Sequence, residues 1–338
     1  MKHVSIAALA LAMASMTIGT ARPDDSFEQL VFAAIAAPSH VSYTGTVEVI
    51  RMGSHSAEAA VYHVEHRAPG MTRRDYTAPS ALAGDSMVVE GPRTLSVDPR
   101  LHRVVETSNA TAGDSTALNA DYALLRANYR VQFQGNEAFD GRPAMDLILI
   151  NKYSGRQTML LRLDRASKMV LDKEEFASNG ALVSEVRFEE ISYAASIPAA
   201  DFSVPAGYAR LRESSAVSFG SVGDAMKRCG FAARAPRSLP DGFSAIEGTV
   251  VDAQGVRTIQ LLYSDGLRTV SVFESSKPTT LDATPFGPKM LRVGTASAEY
   301  AEDGSTALLA WSDGGLHYTL AGELGLVDLT RLAESLQP

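Results

Sequence analysis

The sequence predicts an α+β protein of two largely antiparallel β units, each introduced by a helix and the second closed by one. Three observations predict it. Short apolar segments of period two follow one another across turn residues through most of the chain, helical spacing is confined to a few short stretches, and the pattern fades between Ser203 and Phe219. At 338 residues and 45% hydrophobic content, the chain has the length and apolar content for two domains of ordinary size.

The first residues are a segment apart. Lys2 and His3 precede an uncharged apolar stretch from Val4 to Ile18 and the small residues Gly19 and Ala21, the order of a secretory signal peptide. The stretch is shorter than the about 20 residues of a membrane span, and polar Arg22, Pro23, Asp24 and Asp25 follow it. Cleavage is expected after Ala21, and no cysteine follows to accept a lipid, so the expected product is exported and free in solution. Residues 1–21 are therefore set aside as signal peptide. The single cysteine, Cys229, has no internal partner, which leaves stability to the core. Removing Lys2 leaves 30 basic against 39 acidic residues, a net charge near −9, which disfavours nucleic acid as a partner.

The mature start reads as a helix. Phe27, Leu30, Val31 and Ala34 recur at helical spacing behind Asp25 and Glu28, which resemble a capping box, and Pro38 ends it. From Val41 the period becomes two, with Val41, Tyr43, Val47 and Val49 on one face and Ser42, Thr44, Thr46 and Glu48 on the other. A meander of hairpins follows: Val61 to His66, Arg73 to Tyr76, Met87 to Glu90, Leu95 to Val97 and Arg103 to Glu106, with turns at Gly91-Pro92 and Asp98-Pro99. Ser108 to Ser115 is a polar loop. Leu118, Tyr122 and Leu125 suggest a helix, and strands resume from Tyr129 to Ile191, the longest being Ala144 to Asn151, Thr158 to Asp164, Met169 to Phe176 and Ala181 to Ile191. Met145-Asp146-Leu147-Ile148-Leu149-Ile150 is apolar on both faces, which fits either a doubly covered core strand or a strand with a helix on one side and a pocket on the other.

The large unit thus runs over 22–205, and Pro205, Gly207 and the polar run Arg210, Arg212, Glu213, Ser214 and Ser215 place a linker at 206–220. The small unit, 221–338, opens with a helix from Ser221 to Cys229 stopped by Gly230. Val222, Ala225, Met226 and Cys229 share its apolar face, so Cys229 reads as core. Strands follow at Ser244 to Asp252, Arg257 to Tyr263, Arg268 to Phe273, Met290 to Val293, Ala296 to Tyr300, Ala307 to Trp311 and Leu316 to Ala321, then a closing helix with Leu329, Leu332, Ala333 and Leu336.

Catalytic and metal constellations are missing. The chain has no G-x-S-x-G, P-loop, G-x-G-x-x-G or H-E-x-x-H. His63 and His66 lie three apart on a strand and point to opposite faces, as do Arg73 and Arg74, which read as a solvated edge. Asn109-Ala110-Thr111 reads as polar loop. No catalytic residue, metal ligand or cofactor is assigned.

Two stretches of the small unit carry a family resemblance. Leu239-Pro240-Asp241-Gly242-Phe243, then Tyr263-Ser264-Asp265-Gly266-Leu267 running into Val270-Ser271-Val272-Phe273, resembles the carboxy-terminal domain of the RseB/MucB sigma-E regulatory family. Gly322-Glu323-Leu324 is similar to that family's approach to its last helix, with Gly325 where the family has proline. The large unit resembles the family through its architecture and through Ile197-Pro198-Ala199-Ala200-Asp201-Phe202.

The resemblance implies an open antiparallel half-barrel with covering helices, similar to the lipoprotein carriers LolA and LolB, joined to a smaller α+β domain. It implies a non-enzymatic periplasmic protein that binds the periplasmic part of a membrane-bound anti-sigma factor and shields it from proteolysis. Lipopolysaccharide or lipoprotein acyl chains would be the signals, and a homo-oligomer is compatible with the family. From the carrier-like fold together with the apolar strand faces, an apolar cavity is expected under the helices, lined by Val47, Val49, Phe133, Leu147, Leu149 and Leu161. Ser264-Asp265-Gly266 reads independently as a tight hairpin turn. Tyr263 and Leu267, flanking it, are the candidates for an exposed partner contact. The alternative function is a plain periplasmic lipid or lipoprotein carrier.

Overall fold

A computed structural model describes residues 23–53, 57–108, 118, 120–193, 196–212, 216–253, 256–277, 289–303 and 306–336. The signal peptide, the Asn109 loop and the side chain of Asp25 in the expected capping box lie outside the described residues.

The large unit begins with α1 (Pro23–Ala36), ended by a short 3-10 turn at Ala37–Ser39. A meander of six strands follows: β1 (Tyr43–Met52), β2 (Ala57–Arg67), β3 (Met71–Ala78), β4 (Ser86–Glu90), β5 (Arg93–Asp98) and β6 (Arg103–Ser108). Next comes α2 (Tyr122–Asn128), where the Asp121 carboxylate accepts from the Leu124 N–H at 3.0 Å and so caps the helix. Five more strands complete the unit: β7 (Tyr129–Phe139), β8 (Arg142–Asn151), β9 (Gln157–Asp164), β10 (Val170–Phe176) and β11 (Leu182–Tyr193).

Consecutive strands pair as hairpins because their connections are short, and the two meanders are joined where β1 meets β11, Tyr43 opposite Tyr193. With β12 (Ala209–Arg212) running parallel to β6, the result is one open twelve-stranded sheet. The small unit holds β13 (Ala216–Ser218), α3 (Val222–Arg228), β14 (Ser244–Ala253), β15 (Val256–Ser264), β16 (Thr269–Ser275), β17 (Lys289–Val293), β18 (Ala296–Asp303), β19 (Thr306–Asp313), β20 (Leu316–Gly322) and α4 (Leu326–Ser335). Its eight strands form an open sheet of order β13-β14-β15-β16-β20-β19-β18-β17. The stretch expected as linker thus contributes an edge strand to each sheet.

Each sheet has its own core. Ala225 of α3, Cys229 at its C-terminal cap and Leu329, Leu332 and Ala333 of α4 pack on the small sheet with Leu309, Leu320 and Trp311. In the large unit Val31 and Ala34 of α1 and Leu125 of α2 cover Leu147, Leu149 and Leu161. Tyr43, Val47, Tyr62 and Phe188 form a neighbouring cluster.

The ladder shows how the apolar faces are used. Phe133, Leu147, Leu161, Lys173, Val186 and Val49 lie opposite one another in a single row across β7, β8, β9, β10, β11 and β1. The opposite face of β8 and β9 is polar as well as apolar. Arg162 reaches Asp146 at 3.0 Å and Asp172 at 3.1 Å, and burial pushes the Asp172 carboxyl up to about 6. The double covering read from the β8 sequence is therefore helices on one side and a charge ladder on the other.

Candidate functional site at the junction of the two sheets

The junction is built by the hairpin between β15 and β16. Its turn is closed by its own side chains: the Ser264 hydroxyl accepts from the Gly266 N–H at 2.9 Å, and Asp265 Oδ1 accepts from the N–H groups of Leu267 and Arg268 at 3.1 and 2.8 Å. Gly266 sits at φ +104°, which favours glycine. It is also pressed onto α2, since a Cβ there would lie 2.3 Å from the Leu125 nitrogen.

The tip is then bonded to the large unit. Tyr129 Oη donates to Asp265 Oδ2 at 2.6 Å, and Asn128 Nδ2 donates to the carbonyls of Asp265 and Gly242 at 2.9 and 2.8 Å. Tyr153 Oη donates to Asn128 Oδ1 at 3.2 Å. Asp265 is wholly buried, and its charge is met by Arg268, whose Nη2 and Nε lie 2.7 and 2.9 Å from Oδ2. The Arg268 guanidinium lies 5.6 Å from the centre of the Phe243 ring. Burial first, and the Asp265 carboxylate after it, push the Tyr129 hydroxyl well above its ordinary range. Both sequence motifs of the small unit therefore meet at one place.

Beside the tip is a cleft of about 130 Å³ with one wall from each unit. Met159, Glu175 and Phe176 face Leu267, Glu302 and Glu323 across it. Glu323 Oε2 accepts from the Thr269 N–H at 3.0 Å. Burial, with the charge of Glu175 adding to it, pushes the Glu323 carboxyl up to about 7. A second pocket of about 210 Å³ shares Phe176 and Arg268 with the first and runs on past Tyr153 and Asp241. On the large sheet away from the helices, a groove of about 520 Å³ is lined by Val49, Arg51, Tyr62, Arg74, Tyr76 and Leu82.

Several sequence expectations are corrected. Tyr263 is 3% exposed in the core of the small sheet, so no exposed contact stands at that position. Its neighbour Leu267 turns onto the α1 and α2 core of the large unit and borders the cleft. The cavity expected under the helices is a packed core at Leu147, Leu149 and Leu161, because α1 and α2 fill the space above them. Phe133 is 41% exposed and stacks on Phe27 at 5.6 Å, Val47 is buried with Tyr43 and Tyr62, and Val49 borders an open groove. Arg74 is not a solvated edge residue. It is 6% exposed, its guanidinium 5.6 Å from the Tyr62 ring centre, while Arg73 holds Asp75 and the carbonyls of Asp201 and Ser203. His66 is buried between Thr72 and the Pro38 carbonyl, and His63 is exposed on the other face.

The residues that sequence reasoning passed over are Asn128 and Tyr129. Tyr129 and Asn128 stood at a helix-to-strand boundary with no motif of their own. On the other half of the contact, Asp265-Gly266 was marked by its turn signal and Gly242 through the family resemblance.

No protein-family profile matches the chain, and no curated protein sequence does. Solved structures do. The chain superposes on MucB in complex with MucA(peri) at TM-score 0.62 and 19% identity, over 92% of this chain and 98% of that one. The MucA/MucB complex of Pseudomonas aeruginosa matches at TM-score 0.62 and 20% identity over 93% and 99%. This is the MucB fold. MucB alone gives TM-score 0.58 and 19% identity over 94% and 99%, so the likeness to MucB takes in both sheets.

Proposed function

We propose that this protein is a non-enzymatic periplasmic regulator of the RseB/MucB type, which binds the periplasmic part of a membrane-bound anti-sigma factor and shields it from proteolysis. The observation that supports this reading most is the MucB fold over more than nine-tenths of the chain, in a protein whose small-unit motifs independently resemble that family. Two of the similar structures are complexes with MucA, one of them with MucA(peri). We read the twelve-stranded sheet as the open half-barrel of the LolA/LolB type and residues 1–21 as a cleaved signal peptide.

The contact with the partner is assigned to the cleft at the junction, with Leu267 on its rim and walls from both units. A side chain of that segment lying there touches both sheets at once, and holding it there keeps the segment from a protease. A plain carrier has no use for the second sheet, and that disfavours the carrier reading. Lipid sensing is assigned to the groove at Val49, Tyr62 and Tyr76, where apolar and aromatic walls are joined by the guanidinium groups of Arg51 and Arg74. That pairing suits an acyl chain with an anionic head.

The experiment is capture from envelope extract with the mature protein as bait. Recovery of a single-span protein with a cytoplasmic sigma-binding domain is expected. Recovery of lipids or lipoproteins alone would favour the carrier.

A further inference from the structure

We propose that the hairpin tip Ser264–Arg268 is a releasable latch, so that the protein has a latched arrangement, the one described, and an unlatched one in which the two units move independently. The inference goes beyond partner binding and stands whichever partner the cleft takes.

The first support is how the charges are divided. A buried ion pair split between two units resists their separation, because parting them strands a desolvated charge on each side. Here Asp265 and Arg268 both belong to the hairpin, three residues apart, and leave together. What remains on the large unit is the Tyr129 hydroxyl, the Asn128 amide and the Asp121 backbone N–H, which donates to the Gly266 carbonyl at 3.2 Å, all neutral and all readily hydrated. Strong bonds close the joint, yet opening it leaves no unpaired charge behind.

The second support is that each unit is complete without the other. The core of the small unit contains no large-unit residue, and Leu267 is the one small-unit residue packed in the large-unit cores, among the described residues. The connecting segment adds β12 to one sheet and β13 to the other, so neither ladder spans the joint. The hairpin keeps its own turn bonds through Ser264 and Asp265 when it withdraws. The contact is also steric: at Gly266 any side chain would strike the α2 backbone, and at Gly242 a Cβ would fall 2.9 Å from Asn128 Cγ. Glycine at both positions is what allows the units to close.

The full mature chain tests this with Gly266→Val, which blocks closure, and with Tyr129→Phe, which removes one bond across the joint. The readouts are small-angle scattering, scanning calorimetry and tryptic cleavage at Arg210 and Arg212. The native chain should be compact with one thermal transition. Gly266→Val should show a larger radius of gyration, two transitions and cleavage faster by about tenfold or more, since losing buried bonds shifts such an equilibrium by about that factor. Tyr129→Phe should fall between, and Leu309→Ala, in the small core, should lower stability without speeding cleavage of the connection at a temperature where it stays folded. An unchanged radius with a single transition in Gly266→Val overturns the latch. If that variant fails to fold, Tyr129→Phe decides: cleavage at the native rate overturns the proposal.

Discussion

Both carboxylate oxygens of Glu274 accept from the backbone N–H of Arg234, at 3.1 and 2.9 Å, at a position of no solvent exposure. The segment after α3 is thereby pinned to the small sheet by a buried acid. Burial pushes this carboxyl up to about 7, although the Arg234 bond and charge pull the other way.

That shift sets a pH dependence. A carboxyl whose pKa is higher in the folded chain contributes stability that is fully present below its unfolded pKa, near 4.3, and is lost as pH rises through about 7. The melting temperature should therefore carry a downward slope between about pH 5 and pH 8 from this group. Glu274→Gln should flatten that slope and gain stability at pH 8. The slope should not vanish, because Asp172 and Glu323 are shifted upward in the same way. Thermal melts across that range check it, and an unchanged slope places the dependence elsewhere.

Tyr263 separates packing from polarity. Its ring is buried and its hydroxyl has no hydrogen-bond partner among the described residues. Tyr263→Ala should cost about 3–5 kcal/mol, the range for deleting a large aromatic from a core. Tyr263→Phe should be neutral or stabilising within about 1 kcal/mol, since it removes an unsatisfied polar group. Urea denaturation of both variants decides, and a costly Tyr263→Phe would reveal a partner for the hydroxyl.

The apolar face of the large sheet divides into a filled part and an open part. Leu147→Ala should cost about 2–5 kcal/mol, because α1 and α2 cannot collapse fully into the space left. Val49→Lys, at the rim of the open groove, should instead weaken binding of a fluorescent fatty acid while shifting the melting temperature little. Loss of probe binding at Leu147→Ala without loss of stability would return the lipid site to the helices.

The cleft carries the prediction on partner binding. Glu323→Gln should leave folding intact, with a small gain in stability above pH 7 as one raised carboxyl is removed. Leu267→Ala should weaken capture of the anti-sigma factor and also lower stability modestly, since its side chain packs on both the cleft and the large core. Affinity and melting temperature measured on the same variants check the assignment, and unchanged capture by Leu267→Ala moves the contact elsewhere.

Much of the molecule was legible in the order of residues, because strand period, turn chemistry and helix spacing are local. Val47, Val49, Leu147, Leu149, Leu161 and Phe133 read as sharing one face, and the ladder register puts them there. Asp265-Gly266 read as a tight turn, and it is one. What lies over a face or beyond a turn is decided by chain segments far away in sequence. The same leucines would line a cavity or fill a core according to where α1 settles, and period two is blind to that. Tyr263 alternates with Ser264 in any register, yet its burial depends on the sheet that α3 and α4 cover. The bond from Tyr129 to Asp265 joins residues 136 positions apart, and only the closing of the two units against each other brings them within 2.6 Å. Local sequence determined the pieces and their inner faces, while burial and the polar joint came from non-local packing, where each group's partner is set by the path of the whole chain.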